Sequence, residues 1–209
     1  MHETLRVTWR VTPLQPPLVR RHCSRCAGEM PFACSMKFRT NAQKKRIDVW
    51  LIYRCIACDE VWNLPIFERV GIGEIAPAAF DAIARNDPAF ALRHAFDRTQ
   101  LMRHGSIEES PDVSIHKSHA EGRALVVATL IITLALALPC GLRLDRLLAC
   151  GLGLTRAQLG RLYDAGLLRL APLSRKALRN PAADGQTIAI DLASLDPALA
   201  EMLRRGALA

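Results

Sequence analysis

The sequence predicts an α+β chain, on three observations. Residues 37–69 hold three runs in which apolar and β-branched residues recur at period two, the mark of half-buried strands. Residues 74–105 hold three short apolar stretches with helix punctuation: Pro77 before the first, Asp87-Pro88 before the second, Gly105 after the third. Residues 143–166 hold two leucine-rich runs at helical spacing, followed by strand-like segments. Half of the 209 residues are hydrophobic and 23% are charged, a globular composition with room for two small domains. The net charge of +8 points to a polyanionic partner, nucleic acid or an anionic membrane surface, and does not choose between them. It is uneven: residues 1–69 carry 12 Lys/Arg against 6 Asp/Glu, residues 70–122 carry 5 against 8, and residues 123–209 carry 11 against 6. Two basic modules flank an acidic middle.

The N-terminus lacks the continuous apolar run and small-residue cleavage site of a secretory signal, so the expected location is cytoplasmic. In a reducing compartment seven cysteines read as metal ligands or buried thiols before disulfides. Cys23-Ser-Arg-Cys26 and, twenty-eight residues on, Cys55-Ile-Ala-Cys58 place two sulfur pairs where they can share one tetrahedral Zn²⁺ with no open coordination site. A redox disulfide pair, an iron–sulfur centre or unliganded thiols would use the same residues, but the intervening strand–turn–strand pattern favours structural zinc. On the middle strand Ile47, Val49, Leu51 and Tyr53 share one face, and Arg46, Asp48, Trp50, Ile52 and Arg54 the other. Residues 1–72 therefore read as a zinc ribbon of three antiparallel strands. Cys34 reads as a buried apolar residue, and His22 as no ligand, because neighbours cannot easily face one ion. Lys37, Arg39, Lys44, Lys45 and Arg46 crowd the hairpin beside Phe38 and Trp50, which suits phosphate contact with base stacking and equally a solvated turn over a small core.

Residues 73–105 read as a short helical segment whose His94 and His104 pack or face solvent. The polar, Ser-rich stretch 106–122 reads as a linker. Ala124–Leu142 holds nineteen residues without a charge, just long enough to span a bilayer as a helix. Its period-two pattern, with Leu130, Ile132, Leu134, Leu136 and Leu138 on one side, and its β-branched cluster favour a buried strand.

In the first leucine run Leu144, Leu147, Leu148 and Gly151 follow i, i+3, i+4, i+7, leaving Arg143 and Arg146 outside the apolar face. Thr155 suits the N-cap of a second helix in which Leu159, Leu162, Tyr163 and Gly166 repeat the spacing, with Arg161 opposite the core and Arg156 on its flank. The order "LRLDRLLACGLGLTRAQLGRLYDAGLLRL … DGQTIAIDL" resembles the alpha-L RNA-binding domain typified by the small-subunit ribosomal protein S-four, matching at Arg143, Asp145, Thr155, Arg156, Gly166 and Gly185. The resemblance implies an S-four-like helix pair on a small sheet over residues 123–193, with a C-terminal helix at 194–209. It implies that Arg143, Arg146, Arg156, Gln158 and Arg161 bind structured RNA such as rRNA or tRNA, with Arg175, Lys176 and Arg179 extending the surface. Where that family has a Val-Asn-Gly turn after its first strand, this chain has "RLAPLSRKALRNPA".

Across most of its length the chain also resembles a family of uncharacterised bacterial proteins, domain of unknown function 1062, through "RHCSRC", "KFRTNAQKKRIDVWLIYRC", "VWNLPIFERV" and "RNDPAFALRHAFD". That family supplies no activity. The paired glycines of "GIGEIAP" and "GLGLTRAQLG" lack a dinucleotide or phosphate-loop fingerprint, so neither an enzyme nor a small-molecule substrate is expected. The expected function is zinc-containing RNA binding without a membrane role. The alternative is a regulator in which the ribbon binds DNA or a protein and RNA is not involved.

Overall fold

The computed structural model describes residues 3–108, 112–119, 127–171 and 177–209. In chain order the strands are β1 (Glu3–Pro13), β2 (Leu18–Cys23), β3 (Gly28–Gln43), β4 (Arg46–Cys55), β5 (Val61–Gly71), β6 (Ser106–Glu108), β7 (Val113–His119), β8 (Val127–Leu136), β9 (Leu168–Ala171) and β10 (Thr187–Asp191). The helices are α1 (Pro77–Ala84), α2 (Pro88–Ala95), α3 (Arg98–Met102), α4 (Leu144–Leu152), α5 (Arg156–Asp164) and α6 (Pro197–Leu208). The strands form two five-stranded sheets in two compact units, one of residues 15–110, the other of residues 1–14 with 111–209. The expected architecture is overturned. The chain builds neither a three-stranded zinc ribbon nor an S-four-like helix pair on a small sheet; it is dominated by strand, and its helices are short. The physical reason is pairing remote in sequence: β1, β2, β6 and β7, none of them read as strands, complete both sheets.

In the unit of residues 15–110 the order β5-β4-β3-β2-β6 is antiparallel throughout. β4 sets the two faces. Ile47, Val49, Leu51, Tyr53 and Cys55 are buried, while Arg46 and Arg54 on the opposite side are exposed. Helices cover the apolar face: Leu51 and Tyr53 pack with Ala91, Ala95 and Leu101, and Ile47 and Val49 with Ile83 and Phe90. Burying each such aliphatic or aromatic side chain stabilises by about 1.5–3 kcal/mol. The start of α2 follows the punctuation, with Asp87 accepting from Phe90 N at 2.8 Å, and α3 is capped by Asp97, which accepts from Gln100 N at 3.0 Å. Between β3 and β4 the turn is Lys44-Lys45, closed by Gln43 opposite Arg46, with φ of +48° and +64° at the two lysines. A two-residue turn of this hand matches the strand twist, but each side chain in the left-handed region costs about 1–2 kcal/mol, which is why Asn-Gly usually fills it.

In the other unit the order is β7-β1-β8-β10-β9, with β1 parallel to β8 and the remaining pairs antiparallel. β8 lies within the uncharged segment, of which residues 124–126 fall outside the described residues. Ala128, Leu130, Ile132, Leu134 and Leu136 are buried in strict alternation, so its period of two decides its structure. Among the described residues no helix is long and apolar enough to cross a membrane. The buried faces of α4 and α5 add Leu144, Leu147, Leu148, Leu159 and Leu162 to this core. Trp9 sits fully buried at its centre, its indole N–H donating to Ala207 O at 3.0 Å. The stretch 106–122, read as a linker, carries β6 and β7. Lys117 hides the alternation of β7: its stem lies beside the Trp9 ring, 5.0 Å from ammonium to centroid, and its Nζ donates to Gly151 O at 2.9 Å and Gly206 O at 2.7 Å. One cation thereby caps the carboxyl ends of α4 and α6.

Gly151 faces the Trp9 ring so closely that a Cβ there would overlap ring carbons, whereas a Cβ at Gly160 would meet nothing within 4 Å. Gly151→Ala is expected to destabilise by about 1–3 kcal/mol. Gly160→Ala, inside α5, is expected to stabilise by about 0.5–1 kcal/mol. Urea midpoints of the two variants against the parent check both signs.

Candidate metal centre

The two Cys-x-x-Cys turns lie at the same end of the sheet because the ladder puts them there. β2 ends at Cys23, which pairs with Gly28 at the start of β3, and β4 ends at Cys55, which pairs with Phe32 of β3. Each turn closes with a residue in the left-handed region before the next strand, Ala27 at φ +54° and Asp59 at +60°. Asp59 N donates to Cys55 O at 2.9 Å, Cys55 N to Glu60 O at 2.9 Å, and Arg25 Nη1 reaches across to Cys58 O at 3.2 Å.

The four sulfurs of Cys23, Cys26, Cys55 and Cys58 all lie within 4.8 Å of one another, with Cys23···Cys58 at 3.5 Å and Cys26···Cys55 at 3.9 Å. Ligands about 2.3 Å from a tetrahedral ion stand ~3.8 Å apart, whereas a disulfide needs about 2.05 Å. None of the four cysteines is in a disulfide. Their spacing fits a single metal ion held by four sulfurs, which leaves no position for substrate. Proton affinity shows the same convergence. Hydrogen bonding to Cys58, then burial, pushes the Cys26 thiol up to about 12. Burial pushes Cys55 upward too, but the N–H groups of Ala57 and Cys58 outweigh it and bring it down to about 7. Four sulfurs this close cannot all ionise without a cation among them.

Cys34 stands apart from this cluster. It contacts the Met36 sulfur at 3.8 Å, and burial raises its thiol to about 11. His22 is exposed and outside the group. His94 packs on Phe90 at 4.9 Å, where burial lowers its pKa, and His104 packs on Trp62 at 5.6 Å.

The eight residues expected to bind RNA fare unequally. Arg143 and Arg156 meet at one carboxylate: Asp145 is 7% exposed, takes two hydrogen bonds from Arg143 at 3.1 and 2.6 Å, and lies 3.8 Å from Arg156 Nε. Gln158 is engaged in a capping box, its Oε1 accepting from Thr155 N at 2.8 Å while Thr155 Oγ1 accepts from Gln158 N at 3.2 Å. Arg146, Arg161 and Arg179 are exposed, and Arg175 and Lys176 lie outside the described residues. Asp145 as an anchor for two arginines was not read from the sequence. Its signal was an acidic residue in the first turn of a helix starting beside Arg143.

A family model described as "Protein of unknown function (DUF1062)" matches residues 40–173, more than half of the chain. No curated protein and no solved structure matches it.

Because Cys26 keeps its proton at neutral pH, loading a metal releases protons, and apparent affinity falls as pH is lowered. Calorimetric titration with Zn²⁺ in buffers of different ionisation enthalpy is expected to show proton release and about one ion per chain. Cys26→Ser or Cys58→Ser is expected to weaken loading at least ~10-fold, and Cys34→Ser to leave it unchanged.

Proposed function

The chain belongs to the DUF1062 family, and from that premise we propose that it is a zinc-containing RNA-binding protein that acts by binding and not by catalysis. Zinc is the proposed occupant because a closed set of four thiolates suits Zn²⁺, and an ion without open coordination sites serves structure. Iron takes the same ligands, and the metal content and absorbance of the purified protein distinguish the two.

The observation that carries RNA binding is the arginine pair fixed on Asp145. The carboxylate cancels one of the two charges and restrains Arg143 through two hydrogen bonds, with Arg156 3.8 Å away, so less conformational entropy is lost when the remaining N–H donors of Arg143 meet phosphate. Arg146 on α4, Arg161 on α5 and Arg179 add exposed guanidinium charge on ordered elements. Charge fixed on rigid helices favours a folded RNA recognised by shape. Gln158 contributes through the helix cap instead of contacting RNA.

The test uses two exposed arginines with no ion pair or side-chain hydrogen bond among the described residues. Arg146→Glu/Arg161→Glu is expected to fold normally by circular dichroism and to bind transfer or ribosomal RNA fragments at least ~10-fold more weakly, with the log–log salt slope reduced by about 1–2. Unchanged RNA affinity in a folded double variant leaves the DNA- or protein-binding regulator as the reading. Arg143→Ala is expected to cost about 1–3 kcal/mol of stability by stripping Asp145 of its principal partner.

A further inference from the structure

The β3–β4 turn places two lysines where Gly, Asn or Asp would adopt the left-handed backbone more easily. Both Lys44 and Lys45 are exposed and in the left-handed region, yet the turn is firmly built: Gln43 faces Arg46, and Lys45 O accepts from Ile72 N at 3.0 Å. Folding alone therefore does not account for two long cationic side chains at this position.

What surrounds them has one chemical theme. Arg46, the next residue, is exposed, and its guanidinium donates across to Arg69 O of β5 at 2.8 Å. Asp48 is the acidic side chain in this row of β4, and its Oδ1 is already taken by Arg69 N at 2.7 Å. Two residues further, Trp50 lies on the sheet face opposite the helices, half-buried, with the Arg39 guanidinium 6.0 Å from its ring centroid. Phe38, the other aromatic of the hairpin, is withdrawn into packing against Phe90 at 5.7 Å. The hairpin thus offers a cationic tip and one accessible indole on a rigid strand pair.

We propose that Lys44, Lys45 and Arg46 contact the phosphates of a single-stranded stretch of RNA and that Trp50, flanked by Arg39, stacks one of its bases. This rests on the RNA-binding reading above and adds to it a second contact of a different kind. The single strand is chosen over a duplex because a base stacks on a side chain only when its face is free, and a duplex buries that face between neighbouring pairs.

Replacing the lysines with the residues the turn itself prefers separates folding from binding. Lys44→Asn/Lys45→Gly in the full, zinc-loaded chain is expected to keep or raise the thermal midpoint while weakening binding of a fluorescein-labelled oligouridylate at least ~10-fold and reducing its salt slope by about 1.4, two phosphate contacts at ~0.7 each. Trp50→Phe is expected to abolish most of the tryptophan quenching that oligouridylate produces in the parent, because Trp9 is fully buried and Trp62 packs between Tyr53 and His104. Oligouridylate affinity within twofold of the parent in a folded Lys44→Asn/Lys45→Gly variant overturns the proposal. If Arg146→Glu/Arg161→Glu still loses folded RNA in the same assay, the hairpin contact alone falls; if the parent binds neither RNA, both readings fall.

Discussion

Four sulfur atoms brought within reach of one ion are the constraint on which the unit of residues 15–110 turns. Each pair comes from a tight turn between antiparallel strands, and the two turns are neighbours only because β3 pairs with β2 on one side and β4 on the other. The site is therefore a product of the ladder, and a bound ion would in turn staple that ladder at its end. Buried thiols at this density repel as thiolates and gain little as thiols, so the arrangement is stable chiefly in the company of a cation. With all four ligands supplied by the chain, an ion held there would have no open coordination position.

The other unit solves a different problem. Its core strand β8 is flanked by β1 and β10, so that a strand from the beginning of the chain lies parallel to one from the middle. The indole of Trp9, locked by its hydrogen bond to Ala207 and by close approach to Gly151, and the ammonium of Lys117, bonded to the ends of α4 and α6, knit β1 and β7 to the C-terminal helices. Those helices are thereby tied to the sheet. Asp145 adds local order by gripping Arg143 and Arg156 in the first turns of α4 and α5. Charged residues in this protein thus differ in their surroundings: Lys117 and Arg143 bind the fold together, whereas Arg146, Arg161 and the Lys44-Lys45 pair are exposed.

What the sequence determined by itself was everything written in short-range pattern. The alternation of β4 and β8, the caps at Asp87 and Thr155, the leucine spacing of α4 and α5, and the Cys-x-x-Cys pairs all depend on neighbours a few residues away, and all appear where the pattern placed them. Tertiary structure alone decided the number and partners of the strands. β1 alternates Leu5, Val7, Trp9 and Val11 with exposed Thr and Arg, a local strand signal, but its partner β8 lies more than a hundred residues away; β6, three residues long, acquires its identity from β2 beside it, and no local period announces that pairing. The same holds for the surfaces. Whether an arginine meets solvent or a buried aspartate, and whether Phe38 or Trp50 is withdrawn into the core, depends on which face the rest of the chain covers, and burial is settled by contacts that a linear pattern does not contain.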